Sequence, residues 1–116
     1  MKNISKLKVL IVDDEPTIRN LIAAVLHGMG ISNLKFASNG LNAWETLEQS
    51  GSNFDMIICD WMMPEMDGLE FLKKVRADNY ETCFVMLTSK KTKSDIVGAI
   101  EEGVDAYVAK PFTTNQ

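Results

Sequence analysis

Apolar positions along this chain follow two alternating patterns. Short, almost unbroken runs stand at Lys8–Val12, Met56–Asp60 and Cys83–Thr88. Between them the apolar residues recur at helical spacing. Ile18, Leu21, Ile22, Val25, Leu26 and Met29 are separated by 3, 1, 3, 1 and 3 residues, which marks one face of a helix over residues 16–29. Pro16 in its first turn and Gly30 after it suit the two ends. Leu41, Trp44 and Leu47 predict a second helix stopping near Gly51, after a turn at Asn39 and Gly40. Leu69, Leu72 and Val75 predict a third. Ile96, Ala99 and Ile100 predict a fourth that ends at Gly103, with Thr92 and Asp95 spaced as a capping box. Weaker strands are expected over residues 34–38 and 105–109.

The three strong strands are apolar on both faces rather than alternating, so both faces must be covered. With helices between them, the pattern predicts a parallel sheet with right-handed crossovers, an α/β three-layer sandwich. Strand order does not follow from the pattern. No repeat, low-complexity segment or internal linker divides the 116 residues, so residues 1–116 form one domain.

Composition narrows the classes. With 46% apolar and 24% charged residues the chain is an ordinary globule. A net charge of −4 argues against a sequence-independent grip on nucleic acid, which needs clustered cations. The apolar run at residues 9–12 is too short for a signal peptide, and no stretch is long enough to span a bilayer, so no membrane insertion is expected. Cys59 and Cys83 show no CxxC or zinc spacing, which suits a reducing, cytoplasmic compartment. They are expected near opposite ends of adjacent strands, roughly 13 Å apart at about 3.3 Å per residue, too far for a disulfide.

Ligands of such sheets bind at the carboxyl ends of the strands. Here those ends carry Asp13, Asp14 and Glu15, then Asp60, then Thr88 and Ser89, then Lys110 and Pro111. Alone, a strand-end aspartate is most often a helix cap and a strand-end lysine a solvated charge. Four strand ends bearing such groups point instead to one shared site. Crowded carboxylates repel and call for a cation. Oxygen ligands favour Mg2+, which takes one or two carboxylates and phosphate oxygens. The one histidine, His27, falls inside the first helix, away from these ends. A metal and Lys110 would neutralise a phosphoryl group, Thr88 would donate to it, and Asp60 would be the nucleophile that forms an acyl phosphate.

The set of Asp13–Asp14, Asp60 followed by WMMPEMDG, LTS with Thr88, and EEGVDAYVAKPF with Tyr107 and Lys110 resembles the receiver domain of two-component response regulators. DWMMP is most similar to the single-domain chemotaxis type. The resemblance implies a flavodoxin-like five-stranded sheet of order 2-1-3-4-5. It implies that Asp60 takes phosphate from a phosphohistidine on a sensor histidine kinase or histidine phosphotransfer domain. Mg2+ would be held by Asp14, Asp60 and the Met62 backbone carbonyl, with Asp13 acting largely through water. Thr88 and Lys110 would contact the phosphoryl oxygens, and Tyr107 would change rotamer as Thr88 moves inward. The Lys110–Pro111 bond would be cis. Such a domain promotes its own phosphorylation and slow dephosphorylation and is not a metabolic enzyme.

The Met62 side chain either shields the acyl phosphate from water or points into solvent. Lys90, Lys91 and Lys93 form a solvated cluster or steer an acidic partner. Trp44 reads as a core or half-buried anchor. Rival functions fit less well. A haloacid-dehalogenase-type phosphatase needs a second aspartate where Met62 stands, and a flavin carrier needs a hydroxyl-rich loop where DDEPT stands. A receiver-like interaction module that is never phosphorylated is the alternative. Output is expected through a downstream protein target. A receiver has a fifth helix after strand 5, yet the sequence ends at AKPFTTNQ, so that helix is expected to be missing. The apolar sheet face beside the first helix would then meet water, and a neighbouring molecule is expected to cover it or the first helix to shift into the gap.

Overall fold

The computed structural model describes residues 4–50, 54–78, 80–88 and 92–109. After a short 3-10 turn, strands and helices alternate as β1 (Lys8–Val12), α1 (Pro16–Gly28), β2 (Asn33–Ala37), α2 (Gly40–Ser50), β3 (Met56–Asp60), α3 (Gly68–Ala77), β4 (Cys83–Thr88), α4 (Lys93–Glu101) and β5 (Ala106–Ala109). All neighbours pair in parallel, in the order β2-β1-β3-β4-β5. The flavodoxin-like order implied by the resemblance is therefore present. Boundaries moved by a residue or so. α1 stops at Gly28, β2 lies one residue earlier than expected, and β5 starts at Ala106.

Period-two alternation divides the strands between two cores. Leu10, Val12, Ile57, Cys59, Phe84 and Met86 meet α2, α3 and α4 through Ala43, Trp44, Leu47, Phe71, Leu72, Val75 and Ala99. Val9, Ile11 and Leu87 face the other way and meet Ile18, Ile22, Ala23 and Leu26 of α1. Among the described residues, three helices cover the first face and one covers the second. Beyond α1 the second face opens into an apolar groove of about 350 Å³. Its floor is Ile58, Val85, Leu87 and Val108, and its wall is Leu21, Ile22, Val25 and Leu26. Leu21 and Val25 are 39% and 59% exposed.

Helix starts differ from the sequence expectation in one respect. The Thr92 hydroxyl accepts from the Asp95 amide at 3.2 Å, but the Asp95 carboxylate binds that hydroxyl instead of the Thr92 amide, so the box is only half formed. The complete capping box opens α3. There Asp67 accepts from the Glu70 amide at 2.9 Å and Glu70 accepts from the Asp67 amide at 3.0 Å. Trp44 is buried, stacks at 5.9 Å from Tyr80, and carries the Lys74 ammonium 4.8 Å over its ring.

The two faces should respond differently to truncation. Leu72→Ala empties a fully buried position and should cost about 2–5 kcal/mol. Leu21→Ala on the open groove wall should cost about 1 kcal/mol or less. Urea unfolding of both variants tests this, and equal losses would mean the groove is closed in solution.

Candidate functional site

β1 and β3 end side by side at the point where the strand order reverses. This switch point is where doubly wound sheets bind ligands. The buried run Val9–Leu10–Ile11–Val12 on β1 and the buried Ile57 and Cys59 on β3 hold the two ends in place. At these ends Asp13, Asp14 and Asp60 bring carboxylate oxygens within 4.8 Å of one another. Asp13 and Asp60 are buried and Asp14 is exposed. At that range each charged pair repels by on the order of 3 kcal/mol in the intermediate dielectric of a protein surface.

Backbone bonds fix the acids. The Asp13 amide donates to the Ala37 carbonyl at 3.1 Å, and its carboxylate accepts from the Glu15 amide at 2.9 Å. Arg19, one turn into α1, donates to the Asp13 carbonyl at 2.7 Å. Beyond Asp60, the Trp61 amide donates to the Leu87 carbonyl at 3.3 Å and the Gly68 amide to the Trp61 carbonyl at 2.8 Å. Gly68 is needed for space. A side chain there would collide with the Asp60 carbonyl and come within 2.9 Å of the Trp61 Cα.

The other predicted residues fall as follows. Thr88 is fully buried at the end of β4, beside β3. Tyr107 pairs in register with Met86 on β5, so alternation puts Thr88 and Tyr107 on one face. The Tyr107 ring is half-buried and meets the buried Trp61 edge-on, with centroids 6.2 Å apart. Burial raises the Tyr107 phenol above its ordinary pKa, with the Asp95 charge adding to it. Met62 follows Trp61 with its side chain 58% exposed, which favours the solvent-facing alternative. Lys110, Pro111, Ser89, Lys90 and Lys91 lie outside the described residues, and with them the expected cis bond. Both cysteines are free, and β3–β4 pairing sets them three residues out of register.

Two features were missed from the sequence. Arg19 gave no signal beyond its place one turn after the acids. The Asp67 box was legible as DGLE, the aspartate-x-x-glutamate spacing before an apolar run.

A parallel α/β sheet with an acidic cluster at its switch point is the class that fold and site define. The family follows from comparison. Residues 9–116 match the response regulator receiver domain, and the chain belongs to that family. It is 40% identical over 109 residues to the chemotaxis protein CheY1 of Helicobacter pylori, spanning 92% of this chain and 87% of that protein. It is 39% identical to the chemotaxis protein CheY homolog of Campylobacter jejuni, with 92% and 83% covered. Among solved structures, chemotaxis protein CheY4 of Vibrio cholerae superposes with a TM-score of 0.82 at 33% identity, over 92% of this chain and 88% of that one. The CheY of a CheX–CheY–BeF3–Mg complex from Borrelia burgdorferi has a TM-score of 0.86 at 21% identity, covering 92% and 80%, and shows the fold. The chain is thus a receiver domain of the CheY type, a component of two-component signalling with chemotaxis proteins as relatives. No helix among the described residues is long and apolar enough to cross a membrane.

Burial pushes the Cys59 thiol well above its ordinary pKa, and the charges of Asp60, Asp13 and Asp67 push it the same way. The thiol should stay protonated and inert at neutral pH. Ellman titration of the native protein should therefore modify Cys59 only after unfolding. Fast native reaction at Cys59 would place it outside the core.

Proposed function

We propose that this domain is a cytoplasmic phosphoacceptor, with Asp60 as the residue that takes the phosphoryl group from a phosphohistidine. The donor would be a sensor histidine kinase or a histidine phosphotransfer domain. The carrying observation is the cluster of Asp13, Asp14 and Asp60 at the switch point, with buried Thr88 on the next strand end. The donor set fits Mg2+, since every cluster ligand is a hard carboxylate oxygen. Asp13, Asp14, Asp60 and the Met62 carbonyl would hold the ion. When bound, it neutralises charge on the phosphoryl oxygens and relieves repulsion among the acids.

The chain's own groups do the rest. An Asp60 carboxylate oxygen attacks phosphorus as the phosphorus–nitrogen bond of the donor breaks, and the imidazole nitrogen keeps that electron pair. Thr88 donates its hydroxyl to a phosphoryl oxygen, and Lys110 pairs with another. Drawing Thr88 toward the phosphoryl group vacates space on the face it shares with Tyr107. The Tyr107 ring then turns inward and remodels the surface formed by α4 and β5. Val97 and Ile100, exposed on α4, give a downstream protein target an apolar contact on that surface.

Asp60→Asn should abolish the Mg2+-dependent gain of one phosphoryl group when the protein is incubated with a small phosphodonor and weighed intact. Unchanged labelling would remove Asp60 as the acceptor. A wild-type protein that never gains mass would favour the phosphorylation-independent interaction module.

Thr88→Ala separates acceptance from switching. It should still be labelled, while the NMR shift of the Tyr107 ring on phosphorylation falls to a small fraction of the wild-type change. A full Tyr107 response in that variant would refute the coupling.

A further inference from the structure

We propose that Gly40, at the first turn of α2, is a positioning residue for the metal-holding edge, acting through the loop between β3 and α3. The inference rests on the Mg2+ reading above and adds a residue on an element that supplies none of the three acids. The loop begins at Trp61 and carries the Met62 carbonyl. Its near end is pinned by the bonds of Trp61 to Leu87 and Gly68. Its far half turns at Glu65, whose φ of 71° is left-handed. Non-glycine residues rarely adopt that conformation, and it persists where the surroundings enforce it. The Met66 amide then closes back on the Pro64 carbonyl at 2.9 Å.

What holds this turned segment from outside is α2. The Gly40 amide donates to the Met66 carbonyl at 3.0 Å. That amide is one of the first N–H groups of a helix, which have no partner within the helix, and it stands at the positive end of the helix dipole. Asn39 fixes the same turn, its side-chain oxygen accepting from the Asn42 amide at 2.8 Å. The approach is so close that only glycine fits. A Cβ at position 40 would lie 2.5 Å from the Met66 carbonyl oxygen and 2.8 Å from its Cγ. The first of these is backbone, so no rotamer change relieves it, and the loop and the start of α2 must shift apart. The loop's other end is fixed beside Asp60, so displacement at Met66 is passed toward Met62.

The test compares Gly40→Ala with Leu47→Ala, a fully buried position on the same helix, about 10 Å further along its axis. Mg2+ is titrated while the Trp61 indole resonance is followed by NMR, and thermal unfolding of the metal-free proteins is recorded in parallel. Gly40→Ala should weaken Mg2+ about tenfold to a hundredfold, the usual effect of losing a group that orients a ligand. Leu47→Ala should lower the melting temperature at least as much yet leave Mg2+ affinity within about twofold. If Gly40→Ala does not fold, the Gly40→Ala/Glu65→Gly pair lets the loop yield and should show the same weakening. Affinity within about twofold of wild type in the glycine variant or the pair overturns the proposal. A wild-type Trp61 signal that ignores Mg2+, or responds equally in Asp14→Ala, overturns the metal reading and this inference with it.

Discussion

Like-charge repulsion at the carboxyl edge of the sheet is the constraint that organises this molecule. Asp13, Asp14 and Asp60 share a volume in which unscreened carboxylates would drive one another apart. They stay together because the strands behind them cannot give way. Val9, Leu10 and Ile11 are fully buried, as are Ile57 and Cys59. Moving either aspartate back along its strand would drag these side chains out of register on both faces of the sheet. Packing in the sheet therefore holds the charges at a separation that electrostatics opposes, a repulsion that the proposed cation would relieve.

The same constraint explains what was legible in the sequence. Buried parallel strands need unbroken apolar runs, and amphipathic helices need a 3.6-residue period, so both elements show in the order of residues. A carboxylate that ends an apolar run shows for the same reason. Strand order does not, because each strand of a parallel sheet is apolar on both sides and nothing in its composition selects a neighbour. The residue pattern puts β2 one residue late because its exposed Lys35 and Phe36 carry no burial signal at this edge of the sheet.

Long-range polar contacts were equally hidden. Arg76 donates to the carbonyls of Tyr80, Thr82 and Gly103 and to Asp105, which in turn accepts from the Phe84 amide at 2.7 Å. One guanidinium thus ties the end of α3 to the amino ends of β4 and β5. The residues are up to 29 positions apart, and an arginine with this role looks like any surface arginine until the chain is folded. The half-formed box at Thr92 teaches the converse. The spacing was right, yet an aspartate is one methylene shorter than the glutamate of the usual box, and it binds the nearby hydroxyl instead of reaching back to the amide.

The contact between Trp61 and Tyr107 sets a bound on how the acidic edge can speak to β5. Trp61 is covalently next to Asp60, its amide is bonded to β4, and its ring is met edge-on by Tyr107. An aromatic pair of this geometry contributes about 0.5–1.5 kcal/mol beyond its buried area. Coupling is reciprocal, so a Tyr107 rotamer that loses this contact feels a change at Trp61 by the same amount as Trp61 feels the ring. In the proposed switch, this pair alone would let events at Asp60 shift the Tyr107 equilibrium by about tenfold at most. The proposed switch therefore needs a second route, for which Thr88 is the candidate, buried on the same face two residues beyond Met86 on β4. Packing there is discontinuous, since a buried side chain either occupies a space or leaves it to its neighbour. In the switch proposed above, the aromatic contact would tune the equilibrium and the threonine site would set it.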